Sequence, residues 1–152
     1  NAAMLNKDKL QADLHEAMRS KDQVRKRTLR MVLTAAKLVE VERRAPLDEP
    51  SLLAVLQKEV KTRLETIEEA ERADRHDLIP DLRAEIDVLQ SYLPKPLTEE
   101  ELKALALDAI AEAGVSEPRE MGKVMRVLMP KIQGRADGKA ASNLVRELLS
   151  AE

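Results

Sequence analysis

Apolar residues return every three or four positions through nearly the whole chain, and that period suits helices and little else. Leu53, Leu56, Val60, Leu64, Ile67 and Ala70 predict a helix over about residues 48–74. Ile79, Leu82, Ile86, Leu89 and Leu93 predict another over about 79–93, on heptad spacing. Two long helices with apolar seams, joined only by residues 74–78, should pack as an antiparallel hairpin. The composition agrees: there is no Phe, no Trp and one Tyr, and β-branched residues are too scarce for a sheet. The fold class is all-α, expected as an elongated N-terminal helical lobe holding the long hairpin and a compact three-helix C-terminal lobe.

Three helix starts repeat one local pattern. Asn6, Asp48 and Thr98 each follow a leucine and precede another by four positions, at Leu5 and Leu10, Leu47 and Leu52, and Leu97 and Leu102. Each is a capping residue inside a hydrophobic staple, and Thr98 with Glu101 adds a capping box. The first helix, near 6–18, offers Leu10, Leu14 and Met18 to a core. The second, near 21–44, offers Leu29, Val32, Leu33, Ala36 and Val39. A fifth runs over 98–113 to Gly114, and Ser116 can cap a sixth that carries Pro118 in its first turn. The seventh, from Asp137 to about Leu149, buries Leu144, Val145 and Leu148. Between the halves, Pro94 and Pro96 cannot continue a helix and stiffen the chain toward an extended form. Two domains are therefore expected, 4–93 and 97–152, with Tyr92 packed at their junction and its hydroxyl left wet.

The candidate binding element lies at residues 121–139. Met121, Met125 and Met129 recur every fourth residue with Val124 and Leu128 between them, and they read as core. Pro130 should kink or stop that helix, Gly134 suits a left-handed exit, and Asp137 is placed to cap the next helix. Gly122 and Gly138 leave bare backbone open to close approach. Lys123, Arg126, Lys131, Arg135 and Lys139 surround this turn, opposed only by Asp137. A helix N-terminus ringed by cations suits a phosphate-bearing partner; a solvated helix face with a routine cap is the alternative. A second basic run, from Arg19 through Arg25, Lys26, Arg27 and Arg30, reads mainly as flank pairing with Glu59, Glu65, Glu68 and Glu69 of the third helix, and otherwise as a contact surface for RNA or an acidic partner.

The net charge of −2 gives no global sign of nucleic-acid binding, so any such role rests on local patches. With no cysteine, disulfides, thiol catalysis and thiolate metal sites are all excluded. His15 and His76 are far apart in polar surroundings and read as surface residues. No phosphate loop, nucleophile elbow or paired acid and base is present, and no metal or cofactor is expected. No apolar run approaches the ~20 residues of a membrane span, and no signal peptide opens the chain. A soluble, cytoplasmic protein is expected.

Arg30-Met31, the run from Glu85 through Tyr92 to Pro94, the Leu97 to Leu102 helix start, and above all Met121-Gly-Lys-Val-Met125 with Gly134-Arg-Ala-Asp-Gly-Lys139 resemble the YqeY-like family. The resemblance covers essentially the whole chain. The C-terminal lobe is also similar to the tail domain of the B subunit of glutamine-dependent tRNA amidotransferases, enzymes that amidate Glu-tRNA(Gln) or Asp-tRNA(Asn). The resemblance implies an all-α pair of lobes, contact of the tail with the tRNA body, and an association with carbon–nitrogen ligases that use glutamine as amide donor. The B subunit's kinase-like catalytic region and any glutaminase are absent, so the ligase activity does not transfer to residues here. What transfers is the turn, through Lys123, Lys131, Arg135 and Lys139, with tRNA and amidotransferase subunits as the implied partners. Three functions remain open: a tRNA-binding accessory module reading backbone and shape, a protein-interaction module docking on an amidotransferase or another partner, and an autonomous amide-forming enzyme. Scarce aromatics disfavour base stacking, and nothing in the sequence supplies ATP binding or a nucleophile.

Overall fold

The structure, a computed structural model, describes residues 5–151; residue 4, the expected start of the N-terminal domain, and residue 152, the expected end of the C-terminal one, lie outside them. Among the described residues there are seven α-helices and no strands. They are α1 (Lys7–Arg19), α2 (Gln23–Arg43), α3 (Glu49–Arg72), α4 (Ile79–Gln90), α5 (Glu99–Ala113), α6 (Met121–Ile132) and α7 (Gly138–Ser150). Short 3-10 turns, His76–Leu78 and Pro118–Glu120, precede α4 and α6. The chain divides into two compact units, the first ending at Pro94 and the second beginning at Lys95.

The staples set the helix starts. Asn6 accepts from the Lys9 N–H at 2.9 Å, Asp48 from Ser51 at 2.9 Å and Thr98 from Glu101 at 3.1 Å. Each bond satisfies a donor that the first helical turn leaves without a partner. Glu101 returns the favour to the Thr98 N–H at 3.1 Å, which completes the capping box. At the other ends, Gly114 closes α5 with φ 66°, whereas Lys21, Arg44 and Asp74 take left-handed conformations at φ 60°, 57° and 55°.

In the first unit α1 packs on α2, α3 on α4, and α2 touches both α3 and α4. Leu10, Leu29, Val32, Ala36 and Leu56 are fully buried at its centre, with Leu52 and Leu89 beside them. Two residues expected to be buried in this unit are exposed instead. Met18 and Leu64 are each 46% exposed, and Ala17 and Arg63 take the inward positions. The α3 seam steps from Val60 by three residues rather than four, so it passes through a charge. Arg63 compensates by meeting Glu85 of α4 at 3.3 Å and Glu59 of its own helix at 3.1 Å. With Arg63 at 4% and Glu85 at 8% exposure, this is a buried ion pair between two helices, and losing Arg63 leaves Glu85 only the more distant Arg27 at 3.8 Å.

Tyr92 follows α4 and packs against the same core. Its hydroxyl is not left to water. It donates to Asp13 of α1 at 2.5 Å and accepts from Arg25 of α2 at 3.4 Å. Burial, then the bond to Asp13, pushes the phenol up to about 12. Burial opposes the charge on Asp13, but hydrogen bonds from Tyr92 and Lys9 and the charges of Lys9 and Arg25 outweigh it and hold its carboxyl below the usual range.

The second unit is a three-helix cluster in which α5, α6 and α7 all touch one another. Its core is built of Ala106 and Ala109 from α5, Val124, Leu128 and Ile132 from α6, and Ala141 and Val145 from α7. The methionine stripe flanks this core: Met121 and Met125 pack against it half-buried, and Met129 is 42% exposed. Residues four apart drift around a helix of 3.6 residues per turn, so one row of four-residue spacings takes the centre and its neighbour the flank.

Candidate nucleic-acid interface

The basic turn joins α6 to α7. Pro130 neither stops nor ends the helix where expected, since α6 runs two residues past it to Ile132. Pro130 cannot donate to the Arg126 carbonyl, so the last turn of α6 forms with one helical hydrogen bond fewer. The Arg135 and Ala136 N–H groups then donate to the Ile132 carbonyl at 2.8 and 3.0 Å, and Gly134 turns the chain at φ 77°. Asp137 occupies the N-cap position of α7, but its side chain makes no capping hydrogen bond there; its carbonyl accepts from Ala141 at 3.0 Å. Ser116 does not cap α6 either. Glu117 takes the cap position of the 3-10 turn that leads into the helix, with no side-chain capping bond. Of the two glycines read as open backbone, only Gly122 has free space around it. A side-chain carbon at Gly138 would lie 3.2 Å from the Met129 methyl, so that approach is filled from within.

Three of the four candidate cations hold partners. Lys123 pairs with Glu120 at 3.2 Å, one turn earlier on the chain. Lys131 reaches Glu112 near the end of α5 at 2.9 Å. Arg135 donates from Nε to the Lys95 carbonyl at 3.1 Å while its own carbonyl accepts from the Leu97 N–H at 2.9 Å. That two-point strap ties the first residues of the unit to the turn, so Arg135 has a structural task besides any contact with a ligand. Lys139, in the first turn of α7, is exposed and neither donates a side-chain hydrogen bond nor forms an ion pair with any described residue. Arg126 is likewise exposed and unpaired among them. Lys123 and Lys131 share α6 eight residues apart, about 12 Å along its axis, while Arg135 and Lys139 belong to the turn and to α7. The charges of Arg135 and Lys95 add to the hydrogen bonds from Thr98 that hold the Glu101 carboxyl below its usual range.

The second basic run pairs, but not with the acids expected for it. Arg19 meets Glu16 at 2.9 Å, Arg25 meets Asp13 at 3.6 Å and Arg27 meets Glu85 at 3.8 Å. None of these acids lies on α3. Both histidines are exposed, and among the described residues no group of three His, Asp or Glu side chains could hold a metal. No helix among them is long and apolar enough to cross a membrane.

The sequence matches the family model described as Yqey-like protein over residues 7–149. Several curated relatives are named "Altered inheritance of mitochondria protein 41, mitochondrial". The one from Pyrenophora tritici-repentis is 35% identical over 95% of this chain and 81% of its own length. That from Candida glabrata is 31% identical over 94% of this chain and 81% of its own. A Saccharomyces cerevisiae relative is 27% identical over 86% and 70%. These names conflict with the cytoplasmic location expected from the sequence, and that expectation is withdrawn. The family itself is plain from a match that spans both units, and the chain belongs to the YqeY-like family.

Proposed function

We propose that the protein is a tRNA-contacting accessory module related to the amidotransferase B-subunit tail, without chemistry of its own, and that the α6–α7 turn makes the contact through Lys123, Lys131, Arg135 and Lys139. The observation that carries this reading is Lys139. A cation in the first turn of a helix is opposed by the helix dipole, and this one has no partner among the described residues. A phosphate at the α7 N-terminus would be attracted by both. The ion pairs of Lys123 and Lys131 are exposed and weak, worth about 0–1 kcal/mol, so phosphates could replace their carboxylates.

The test is binding of total tRNA across a salt series, comparing the protein with a Lys123→Ala, Lys139→Ala variant. Arg135 is left in place because of its strap to Lys95 and Leu97. Two lost phosphate contacts should flatten the log–log salt slope by about 1.8 with little change in melting temperature. Unchanged affinity and slope in a folded variant would remove the turn as the contact. A second reading, docking on an amidotransferase or another protein, is favoured by the apolar residues that α2 leaves exposed: Met31, Leu38 and Val41. Co-elution with purified amidotransferase subunits tests its most specific form.

A further inference from the structure

Helix α2 is packed on one side only. Leu29, Val32 and Ala36 are fully buried, while Met31, Leu38 and Val41 are 48, 62 and 65% exposed. Spacings of seven and three residues put these three along one outward stripe. Arg30, Lys37 and Arg44 also recur every seven residues, each one position before or three beyond a member of the stripe, and so form a row along its edge. None of the three cations donates a side-chain hydrogen bond or forms an ion pair with a described residue. Open grooves flank the ridge: one of about 670 Å³ reaches Val41, Lys37 and Arg44, and one of about 300 Å³ reaches Met31, Leu38 and Arg30.

We infer that this face of α2 docks an amphipathic helix of a partner protein whose apolar side is edged by carboxylates. The inference deepens the docking reading above and rests on it. Paired grooves beside an apolar ridge accept the side chains of a helix. A cationic row that holds no ion pair, with Glu40 beside Lys37 and Glu59 in the second groove as the nearby carboxylates, selects an acidic edge. A second copy presenting its own α2 would bring like charges together. A lipid surface would be met by protruding aromatic anchors, and this face has none.

Two synthetic helical peptides of about 20 residues test it, sharing one leucine face spaced for two helical turns and more, one edged with Glu and the other with Lys. Binding to the full chain is followed by fluorescence anisotropy. The Glu peptide should bind at least about tenfold more tightly than the Lys peptide, and less so as salt rises. Leu38→Ser with Val41→Ser should weaken it at least about tenfold; Arg30→Glu with Lys37→Glu should reverse the preference between peptides. All four positions face outward, and circular dichroism confirms that each variant is folded. Equal binding of both peptides that still depends on Leu38 and Val41 would overturn the acidic assignment and leave docking standing. Binding of neither peptide, or binding indifferent to the stripe variants, would overturn both. Sedimentation with phosphatidylglycerol vesicles that is lost on the stripe variants would give the face to a membrane and overturn the inference.

Discussion

Tyr92 is the one tyrosine in the chain, so its titration reads the Asp13–Tyr92–Arg25 junction without interference. Its pKa stands at about 12 against an ordinary 10.0, because burial and the bond to Asp13 oppose the phenolate more than Arg25 favours it. A raised acid favours the protonated form in the folded state. The stability it gives is therefore fully present below pH 10 and is lost as pH rises through about 12. Two units correspond to at most about 2.7 kcal/mol, and screening at a part-exposed ring leaves about 1 kcal/mol for folding. Phenolate absorbance should show an ionisation midpoint near pH 12, while urea denaturation followed by circular dichroism should show stability falling by about 1 kcal/mol as pH rises from 10 through that midpoint. Asp13→Asn should move the midpoint down toward 10, while Arg25→Ala should move it up. A midpoint near 10 in protein that is still helical would refute the account of burial and bonding. An unshifted midpoint in Asp13→Asn would refute the role of the carboxylate. Asp13 itself has a lowered pKa, so it stabilises at neutral pH and that contribution is lost as pH falls below about 4.

Arg63→Ala leaves buried Glu85 only the part-exposed Arg27 at 3.8 Å and should cost about 3 kcal/mol in urea denaturation, the low end for a broken buried pair; Arg63→Met with Glu85→Leu should recover most of that, and a single variant costing under about 1 kcal/mol would contradict the buried pair. Thr98→Ala removes one half of the capping box and should lower stability by about 1 kcal/mol, read as a shift of the denaturation midpoint at constant slope.

Much of the fold is legible in residues close together along the chain. Asn6, Asp48 and Thr98 announce the helix starts they make, because a staple and a cap need only a few neighbouring positions. The inward face of α3 is less so. Val60, Leu64 and Ile67 read as a seam, yet the chain turns Arg63 inward, and only the facing Glu85, 22 residues away, makes that position tolerable. The same distance problem governs the basic turn. Nothing near Lys131 points to Glu112, 19 residues back, and nothing near Arg135 points to the Lys95 carbonyl, 40 residues back. Spacing can list the cations of a surface, but whether each is spent internally depends on helix packing. Of the five cations around the basic turn, only Lys139 and Arg126 come through that packing unpaired among the described residues.

The left-handed residues that close helices in the first unit bear on the unfolded chain as much as on the folded one. All four glycines lie at or beyond residue 114, so Lys21, Arg44 and Asp74 hold that conformation with side chains attached, each at a strain of roughly 1 kcal/mol. A glycine at any of them would relax the native state but loosen the denatured ensemble, adding entropy that refolding must remove. The two effects are of similar size and opposite sign. The first unit thus begins folding from a stiffer coil than the second, whose turns swivel on glycine, and its ordering should cost less entropy per residue.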